Sequence, residues 1–223
     1  VFDAWQSSRH SVLLTDDYAP LDNIMAAVYL SRDRLERALS RYNEGVRLGA
    51  LGQADKAIAE YSKAIGLEPT LDQAYVNRGG VFNHLGQYKN AIQDYTEALR
   101  LVPEYAVAYY NRGIARIGLA QYPEALADLD QAISLDPGYG PAYSNRAIAH
   151  SRLGQFQLAL RDLDQVISLN PEAAQPYVSR GLVHASLGEA AKAQSDFDRA
   201  VELGADPEDL NAAIAAQSAP AQR

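Results

Sequence analysis

The fold is decided by residues 72–105, DQAYVNRGGVFNHLGQYKNAIQDYTEALRLVPEY. Tyr75 and Phe82 are seven residues apart, as expected for one face of a helix. Gly86 marks the end of that helix, because glycine adopts the left-handed conformation there without steric cost. A second helix follows and stops before Pro103, since proline cannot continue a helix. The stretch therefore predicts two helices joined as a hairpin.

The same pattern recurs every 34 residues, five times without an insertion, over residues 38–207. The residues that keep this step are Pro69, Pro103, Pro137 and Pro171; Leu51, Leu85, Leu119, Leu153 and Leu187; and Ala57, Ala91, Ala125, Ala159 and Ala193. A fixed period of this length indicates helical hairpins stacked side by side. Such a stack offers a long concave surface, which suits an extended partner better than a small substrate.

Small residues indicate where the two helices of each hairpin approach closely. On the first helix these residues are Gly79, Gly113, Ala147 and Gly181. On the second helix the repeated alanines are predicted to hold the facing point. Tyrosines four residues before the small residue are predicted to fill the gaps between hairpins.

The pattern resembles the tetratricopeptide repeat (TPR) family. The five units are 38–71, 72–105, 106–139, 140–173 and 174–207, named repeats one to five below. The resemblance implies an all-α, right-handed α-solenoid (a superhelix) of five TPR helical hairpins with flanking helices. Residues 1–37 are then an N-terminal extension with a turn-like stretch and a helix, and residues 208–223 are a C-terminal capping helix and tail.

The N-terminal extension carries a second, shorter resemblance. Residues 13–23 are similar to the closing stretch of spermidine-synthase-like aminopropyltransferase domains, including membrane-fused bacterial versions. This resemblance implies that the chain is the C-terminal part of a larger enzyme, and the start at Val1 rather than Met also indicates a fragment or a processed form. The alternative is an ordinary helix that covers repeat one. Residues 12–14 are predicted as a short strand, a helix is expected from about Leu21, and a polar break is expected at residues 31–33.

Composition excludes several classes of protein. The 223 residues include no cysteine, so disulfides, thiolate zinc sites and thiol catalysis are excluded. The net charge of −8 argues against nucleic acid as a partner. There is no apolar run long enough to span a membrane and no phosphate-binding loop, nucleophile elbow or zinc-protease motif. We predict a soluble, non-enzymatic chain with no catalytic residue, cofactor or metal, in either the cytoplasm or the periplasm.

The family resemblance places the sixth residue of each unit in the concave groove. Asparagine recurs there, and a carboxamide can both donate to and accept from a peptide backbone. We name this row the asparagine ladder; it comprises Asn43, Asn77, Asn111, Asn145 and Ser179. The predicted apolar groove residues are Tyr42, Val76, Tyr110, Ile114, Ile148, Val178 and Leu182. The alternatives are that the asparagines bond within their own repeats and that some apolar residues face the helix interface.

A charged pair also repeats with the period. The arginines are Arg78, Arg112, Arg146 and Arg180, and the aspartates are Asp94, Asp128, Asp162 and Asp196. Because the two signs recur in step, we predict structural ion pairs between neighbouring helices. The alternative is an arginine row that receives an acidic ligand.

These features predict a scaffold or adaptor that binds an extended or helical polypeptide, as a monomer or weak homodimer. The carboxylate clamp of some TPR proteins needs lysines and an arginine and is not expected, because Tyr42, Val46, Val107 and Asn111 stand at its positions and only Asn77 matches. Two alternatives stay open. One is an interaction or regulatory module of a larger spermidine-synthase-like, membrane-bound enzyme, and the other is a self-association module.

Overall fold

The structure is a computed structural model that describes residues 19–218. Within these residues it contains eleven helices and no strand. The helices are α1 Ala19–Ala50, α2 Ala54–Leu67, α3 Asp72–His84, α4 Tyr88–Leu101, α5 Ala106–Gly118, α6 Tyr122–Leu135, α7 Gly140–Arg152, α8 Phe156–Leu169, α9 Ala174–Ser186, α10 Ala190–Glu202 and α11 Pro207–Ser218. The predicted all-α class is confirmed.

The helices pack as consecutive hairpins, α1 with α2, α3 with α4, and so on to α9 with α10. The described chain divides into two compact units. The first unit, residues 19–71, holds the hairpin of repeat one. The second unit, residues 72–218, stacks the other four hairpins and ends with α11. In the second unit each hairpin also contacts the next one, through α4 and α5, α6 and α7, and α8 and α9.

The turn inside each hairpin uses a residue with positive φ. Gly86 has a φ of 71° and follows the end of α3. Repeat three departs from this rule, because Ala120 holds the position with a φ of 56°. A non-glycine residue in this region is strained, so repeat three closes its turn at some cost in free energy.

Helix α1 runs without interruption through residues 31–33, so the predicted break there is wrong. Two ion pairs span this segment. Arg32 Nε lies 2.9 Å from Glu36 Oε1, and Arg37 Nη2 lies 2.8 Å from Asp33 Oδ2. Pairs with this four-residue spacing stabilise a helix, and a serine followed by charged residues is compatible with a helix interior. The predicted strand at residues 12–14 lies outside the described residues.

A glycine on the first helix of most hairpins admits a large side chain from the second helix. A Cβ added to Gly79 would lie 2.9 Å from Tyr95 Cε1, and one added to Gly181 would lie 2.4 Å from Phe197 Cε1. The prediction that alanine faces the small residue is therefore wrong at Gly79 and Gly181, where the nearest atoms belong to the ring sixteen residues later, whereas at Gly113 an added Cβ would lie 3.5 Å from the backbone oxygen of Ala125. Repeat four has Ala147 at the glycine position, and there the facing residue is the smaller Leu163, in one core cluster with it.

Tyr95 is the largest fully buried side chain of repeat two, and it packs among the alanines of α4. Its hydroxyl finds no hydrogen-bond partner within the described residues. Burial raises the pKa of the Tyr95 phenol, and Asp94 adds to the effect. A buried hydroxyl without a partner destabilises the fold, because it has lost its bonds to water.

We therefore expect Tyr95→Phe to stabilise the protein by about 1 kcal/mol, since it removes an unpaired polar atom and keeps the ring. Urea unfolding followed by far-UV circular dichroism measures the change. Repeat five already carries Phe197 at the equivalent position. A loss of stability in Tyr95→Phe would show that the hydroxyl has a partner.

The second unit ends in a capped helix. Asp206 Oδ1 accepts a hydrogen bond from the backbone N of Glu208 at 2.7 Å, which satisfies a free donor of the first turn of α11. Leu210 is buried and Ile214 packs beside it, against Phe197 and Ala200. Helix α11 therefore covers the apolar end of repeat five, as its sequence predicts. No helix of the described chain is both long and apolar enough to cross a membrane.

Candidate functional site

The asparagine ladder lies at partly exposed positions of the second unit. Asn77, Asn111, Asn145 and Ser179 are half-buried. Asn145 Nδ2 donates to the backbone oxygen of Pro141 at 3.0 Å and lies 3.4 Å from Tyr110 Oη. The bond to Pro141 lies within the same repeat, which is the alternative role considered for these asparagines. The side-chain oxygen of Asn145 takes part in neither bond. Asn43, in the first unit, is exposed.

The prediction that Val76 and Val178 lie in the groove is wrong. Val76 and Val178 are each only 7% exposed and belong to the hydrophobic core clusters of repeats two and five. Their side chains pack against the neighbouring hairpin helices, so they are not accessible to a partner. Family analogy alone did not distinguish this position from an exposed one.

The other predicted apolar residues are accessible to different degrees. Ile148 is 44% exposed, while Tyr110, Ile114 and Leu182 are half-buried. The ring of Tyr110 lies 4.8 Å from the ring of Tyr139, centroid to centroid. Burial raises the pKa of the Tyr110 phenol, so it stays protonated and can donate a hydrogen bond. In the first unit, Tyr42 is half-buried and packs 5.9 Å from Tyr61.

A cavity of about 500 Å³ opens at the C-terminal end of the second unit. Its apolar lining includes Ile148, Phe156 and Leu182, and Arg152 is its only charged residue. The remaining lining residues are Ser144, Ala147, Ser151, Leu163, Ser179, Val183, Ser186 and Ala213. This pocket was not predicted from the sequence, although Ile148, Ser179 and Leu182 were predicted as groove residues.

The position of the pocket follows from the ladder itself. The 34-residue step leads from Asn145 to Ser179 and then to Ala213 on α11. The side chain at this position therefore shrinks from a carboxamide to a hydroxymethyl group and then to a methyl group. Both Ser179 and Ala213 line the cavity, so the pocket forms where the ladder side chains become small. Continuing the step one unit beyond the last repeat would have found this signal in the sequence.

The four predicted arginine–aspartate pairs are in contact within their repeats. In each pair Nε and Nη2 of the arginine donate to the two carboxylate oxygens, at 2.6–2.9 Å. The aspartates are buried. Each guanidinium also lies 5.3–5.8 Å from the ring of the tyrosine three residues before it. This geometry fixes the helices of a hairpin and leaves the arginines bound to protein carboxylates.

The arginines make a further contact that the sequence analysis missed. Arg146 Nη1 donates to Asp130 Oδ1 at 2.7 Å, and Arg180 Nη1 donates to Asp164 Oδ1 at 2.7 Å. The acceptor belongs to the preceding repeat in both cases. In repeat three the acceptor is neutral, since Arg112 Nη1 donates to Thr96 Oγ1 at 3.1 Å. Arg112, Arg146 and Arg180 thus each tie their own hairpin to the one before it.

Repeat one replaces this arrangement with another. It has Glu44 at the arginine position and Glu60 at the aspartate position. Arg41, which stands where the other repeats have tyrosine, lies 3.2 Å from Glu60 and restores an ion pair between the two helices. The departure of Arg41 from the pattern is therefore compensated inside the same hairpin.

In repeats three to five the eleventh residue of the unit lies beside the buried aspartate. Arg116 Nη1 is 2.8 Å from Asp128 Oδ2, so this carboxylate faces two cations. His150 Nδ1 lies 2.7 Å from Gln155 Oε1, and His184 Nδ1 lies 2.6 Å from Glu189 Oε2. These histidines pack at the hairpin edge, each in its own repeat. The described residues contain no group of three side chains arranged to hold a metal ion.

Comparison with known proteins identifies the same repeat along the chain. Four models described as tetratricopeptide or TPR repeats match residues 38–71, 80–117, 106–139 and 144–209. A search of curated proteins by sequence gives no match.

Solved structures of similar fold are also repeat proteins. MamA is 25% identical with a TM-score of 0.70, over 75% of this chain and 92% of that one. YrrB, described as a TPR protein with an unusual peptide-binding site, is 25% identical with a TM-score of 0.68, over 80% of this chain and 92% of that one. A thermophilic TPR protein of Thermus thermophilus, TTC0263, is 21% identical with a TM-score of 0.63, over 81% of this chain and 98% of that one.

Proposed function

Because the chain belongs to the tetratricopeptide repeat family, we propose that it is a non-enzymatic scaffold that binds an extended or helical polypeptide. The binding surface is the face of the second unit that carries the asparagine ladder. TPR proteins generally act through protein or peptide partners, and the description of YrrB as a peptide-binding protein supports the same role here.

One observation carries this proposal. Amide and hydroxyl side chains recur at half-buried positions every 34 residues, and an apolar pocket opens at the end of the row. Polar groups at regular intervals suit the regular donors and acceptors of a peptide backbone. An apolar pocket beside them suits a side chain of the same peptide. The arginine row is not the binding surface in this proposal, because its guanidinium groups are bonded to buried aspartates.

We expect the triple variant Asn77→Ala, Asn111→Ala and Asn145→Ala to lose at least tenfold in affinity for peptides, since the ladder supplies the bonds to the backbone. The probe is a displayed library of random ten-residue peptides selected on the purified 223-residue chain. Fluorescence polarisation of the enriched peptides then gives the affinities.

The control is Asn90→Ala, which removes an exposed carboxamide from α4, outside the ladder. Unchanged far-UV circular dichroism in both variants excludes unfolding as the cause. Equal affinity of the triple variant and the original chain would overturn the role of the ladder. Failure to select any peptide would overturn the binding of extended polypeptides itself.

A second candidate function is supported by the first half of α1. Ile24, Met25, Val28, Tyr29 and Leu30 are 57–67% exposed. At 100° per residue, Ile24, Met25, Val28 and Tyr29 lie within an arc of about 140°, and Leu30 projects about 100° beyond it. An exposed apolar stripe of this width is typical of a helix that packs against a core. We therefore assign this segment to the core of a domain that precedes it in the same polypeptide, so that the repeats serve a larger protein as its interaction module.

The adjacent residues 13–23 support this assignment through their similarity to the end of aminopropyltransferase domains. The test is to read the gene upstream of the codon for Val1. An aminopropyltransferase-like coding sequence in frame would support the assignment, and a start codon or leader sequence at that point would overturn it. In the second case, light scattering of the purified chain would test self-association through α1.

A further inference from the structure

We propose that the pocket at the C-terminal end of the second unit binds an apolar side chain together with a neighbouring aspartate or glutamate of the bound polypeptide. The proposal rests on the polypeptide binding proposed above and names the sequence feature that is recognised. The pocket then supplies selectivity, whereas the ladder binds any backbone.

The apolar part of the pocket is preformed. Its floor consists of Ala147, Leu163 and Val183, which are buried in one core cluster. Ile148 and Leu182 provide apolar surface on the two first helices, α7 and α9. The volume of about 500 Å³ lies within the range of pockets that hold small ligands. It therefore accommodates an aliphatic or aromatic side chain without a rearrangement of the core.

Hydroxyl groups lie on both walls. Ser151 on α7 and Ser179 on α9 make no hydrogen bond with another residue in the part of the chain that the structure describes. Ser144 Oγ donates to its own helix, to the backbone oxygen of Gly140 at 3.3 Å. Ser151 and Ser179 thus offer donors and acceptors to a peptide backbone that passes between the two walls. Because both walls offer such groups, we assign the carboxylate to a side chain rather than to the end of a peptide.

The charge of the pocket selects an anion. Arg152 is exposed and forms no ion pair among residues 19–218. By contrast, the repeated arginines Arg78, Arg112, Arg146 and Arg180 are each held by a buried aspartate. A free guanidinium beside an apolar pocket attracts a carboxylate, which it can bind with two parallel hydrogen bonds.

The test uses the random ten-residue library and selects in parallel on the original chain and on three variants. We expect peptides enriched on the original chain to carry an aliphatic or aromatic residue next to Asp or Glu. Arg152→Gln should lose the enrichment of the acidic residue and keep that of the apolar one. Ser179→Asn restores the larger ladder side chain inside the pocket, so it should lose the enrichment of the apolar residue.

The matched control is Arg161→Gln. Arg161 is an exposed arginine of α8 without an ion pair in the described residues, and it does not line the pocket. This variant has the same change in charge and should select the same peptides as the original chain. Circular dichroism of all three variants checks that the helices are intact.

Fluorescence polarisation with one enriched peptide then measures the contribution of the charge. We expect Arg152→Gln to weaken binding up to about fivefold, because an exposed ion pair contributes up to about 1 kcal/mol. Added salt should weaken the binding of the original chain more than that of Arg152→Gln, since salt screens the ion pair. Amidation of the peptide's own C-terminus should leave the affinity unchanged.

Four results would overturn the proposal. Enriched peptides without an acidic residue, or an Arg152→Gln variant that matches the original chain, would show that the pocket does not read this feature while polypeptide binding remains valid. Loss of affinity on amidation would assign the carboxylate to the peptide terminus. Absence of any enriched peptide would overturn the proposed function, and this inference with it.

Discussion

Replacement of Asp128 by alanine is expected to lower the free energy of unfolding of the second unit by about 3 kcal/mol. Asp128 is 2% exposed, accepts a hydrogen bond from Arg112 at 2.7 Å and forms an ion pair with Arg116, whose Nη1 lies 2.8 Å away. The side chains of these arginines are only 14% and 21% exposed. Without the carboxylate, two largely buried cations face each other with little water to replace it. Urea unfolding followed by circular dichroism measures the loss.

The equivalent change in repeat two is the internal comparison. Asp94 faces Arg78 and an aromatic ring, Phe82, at the place of the second cation. We expect Asp94→Ala to cost less than Asp128→Ala, because only one cation loses its partner. Equal losses in the two repeats would show that the second cation is already solvated.

Removing a whole pair should cost far less than removing one half of it. Burial raises the pKa of Asp94 even though two bonds to Arg78 act in the opposite direction. The ionised carboxylate is therefore not strongly favoured by its site. The double variant Arg78→Met with Asp94→Leu should be more stable than Asp94→Ala, as found for buried pairs replaced by apolar residues of similar volume.

Gly181→Ala is expected to destabilise repeat five by about 2–3 kcal/mol, within the range for overpacked cores. The new Cβ would lie 2.4 Å from Phe197 Cε1 and 2.7 Å from Phe197 Cδ1, so the ring must move. Alanine is otherwise the better helix former, by about 1 kcal/mol, and the clash has to exceed this gain. The midpoint of urea unfolding measures the net effect.

The chain provides both a control and a rescue for this change. Gly80 is also inside a helix, but the nearest atom to an added Cβ is Tyr95 Oη at 3.9 Å, so Gly80→Ala should stabilise by about 0.5–1 kcal/mol. Phe197→Leu added to Gly181→Ala reproduces the Ala147 and Leu163 combination of repeat four, and it should recover part of the loss. A double variant less stable than Gly181→Ala alone would contradict the clash as the cause.

The elements of this fold that depend on local residues were predictable from the sequence. The 34-residue step located the hairpins, and the sixteen-residue spacing of Arg78 and Asp94 put opposite charges at facing points of two antiparallel helices. The structure shows that pair as a two-bond contact. Such pairs are predictable because the position of each member is fixed within a single hairpin.

Features that depend on which way an uncharged side chain points, or on residues outside the repeats, were not predictable. Val76 and Val178 were placed in the groove by analogy, yet they pack into the core. A small residue such as Gly79 identified a close approach, but not that Tyr95 would fill it. The pocket beside Arg152 was missed because it depends on Ala213, a residue beyond the last repeat. The break expected at residues 31–33 was wrong, because the ion pairs of this segment stabilise a continuous helix more than its serine favours the start of a new one.

The second contact of Arg112, Arg146 and Arg180 also has a consequence for how the second unit opens. Hydrogen exchange reports local opening, and in repeat arrays each unit is held mainly by its neighbours. At two of the junctions in the second unit this contact is made to a carboxylate, Asp130 or Asp164, but at the junction between repeats two and three it is made to the hydroxyl of Thr96. We therefore expect this contact to couple repeats three, four and five more strongly than it couples repeat two to repeat three, where the apolar cluster that includes Tyr95 and Ala108 also joins the hairpins.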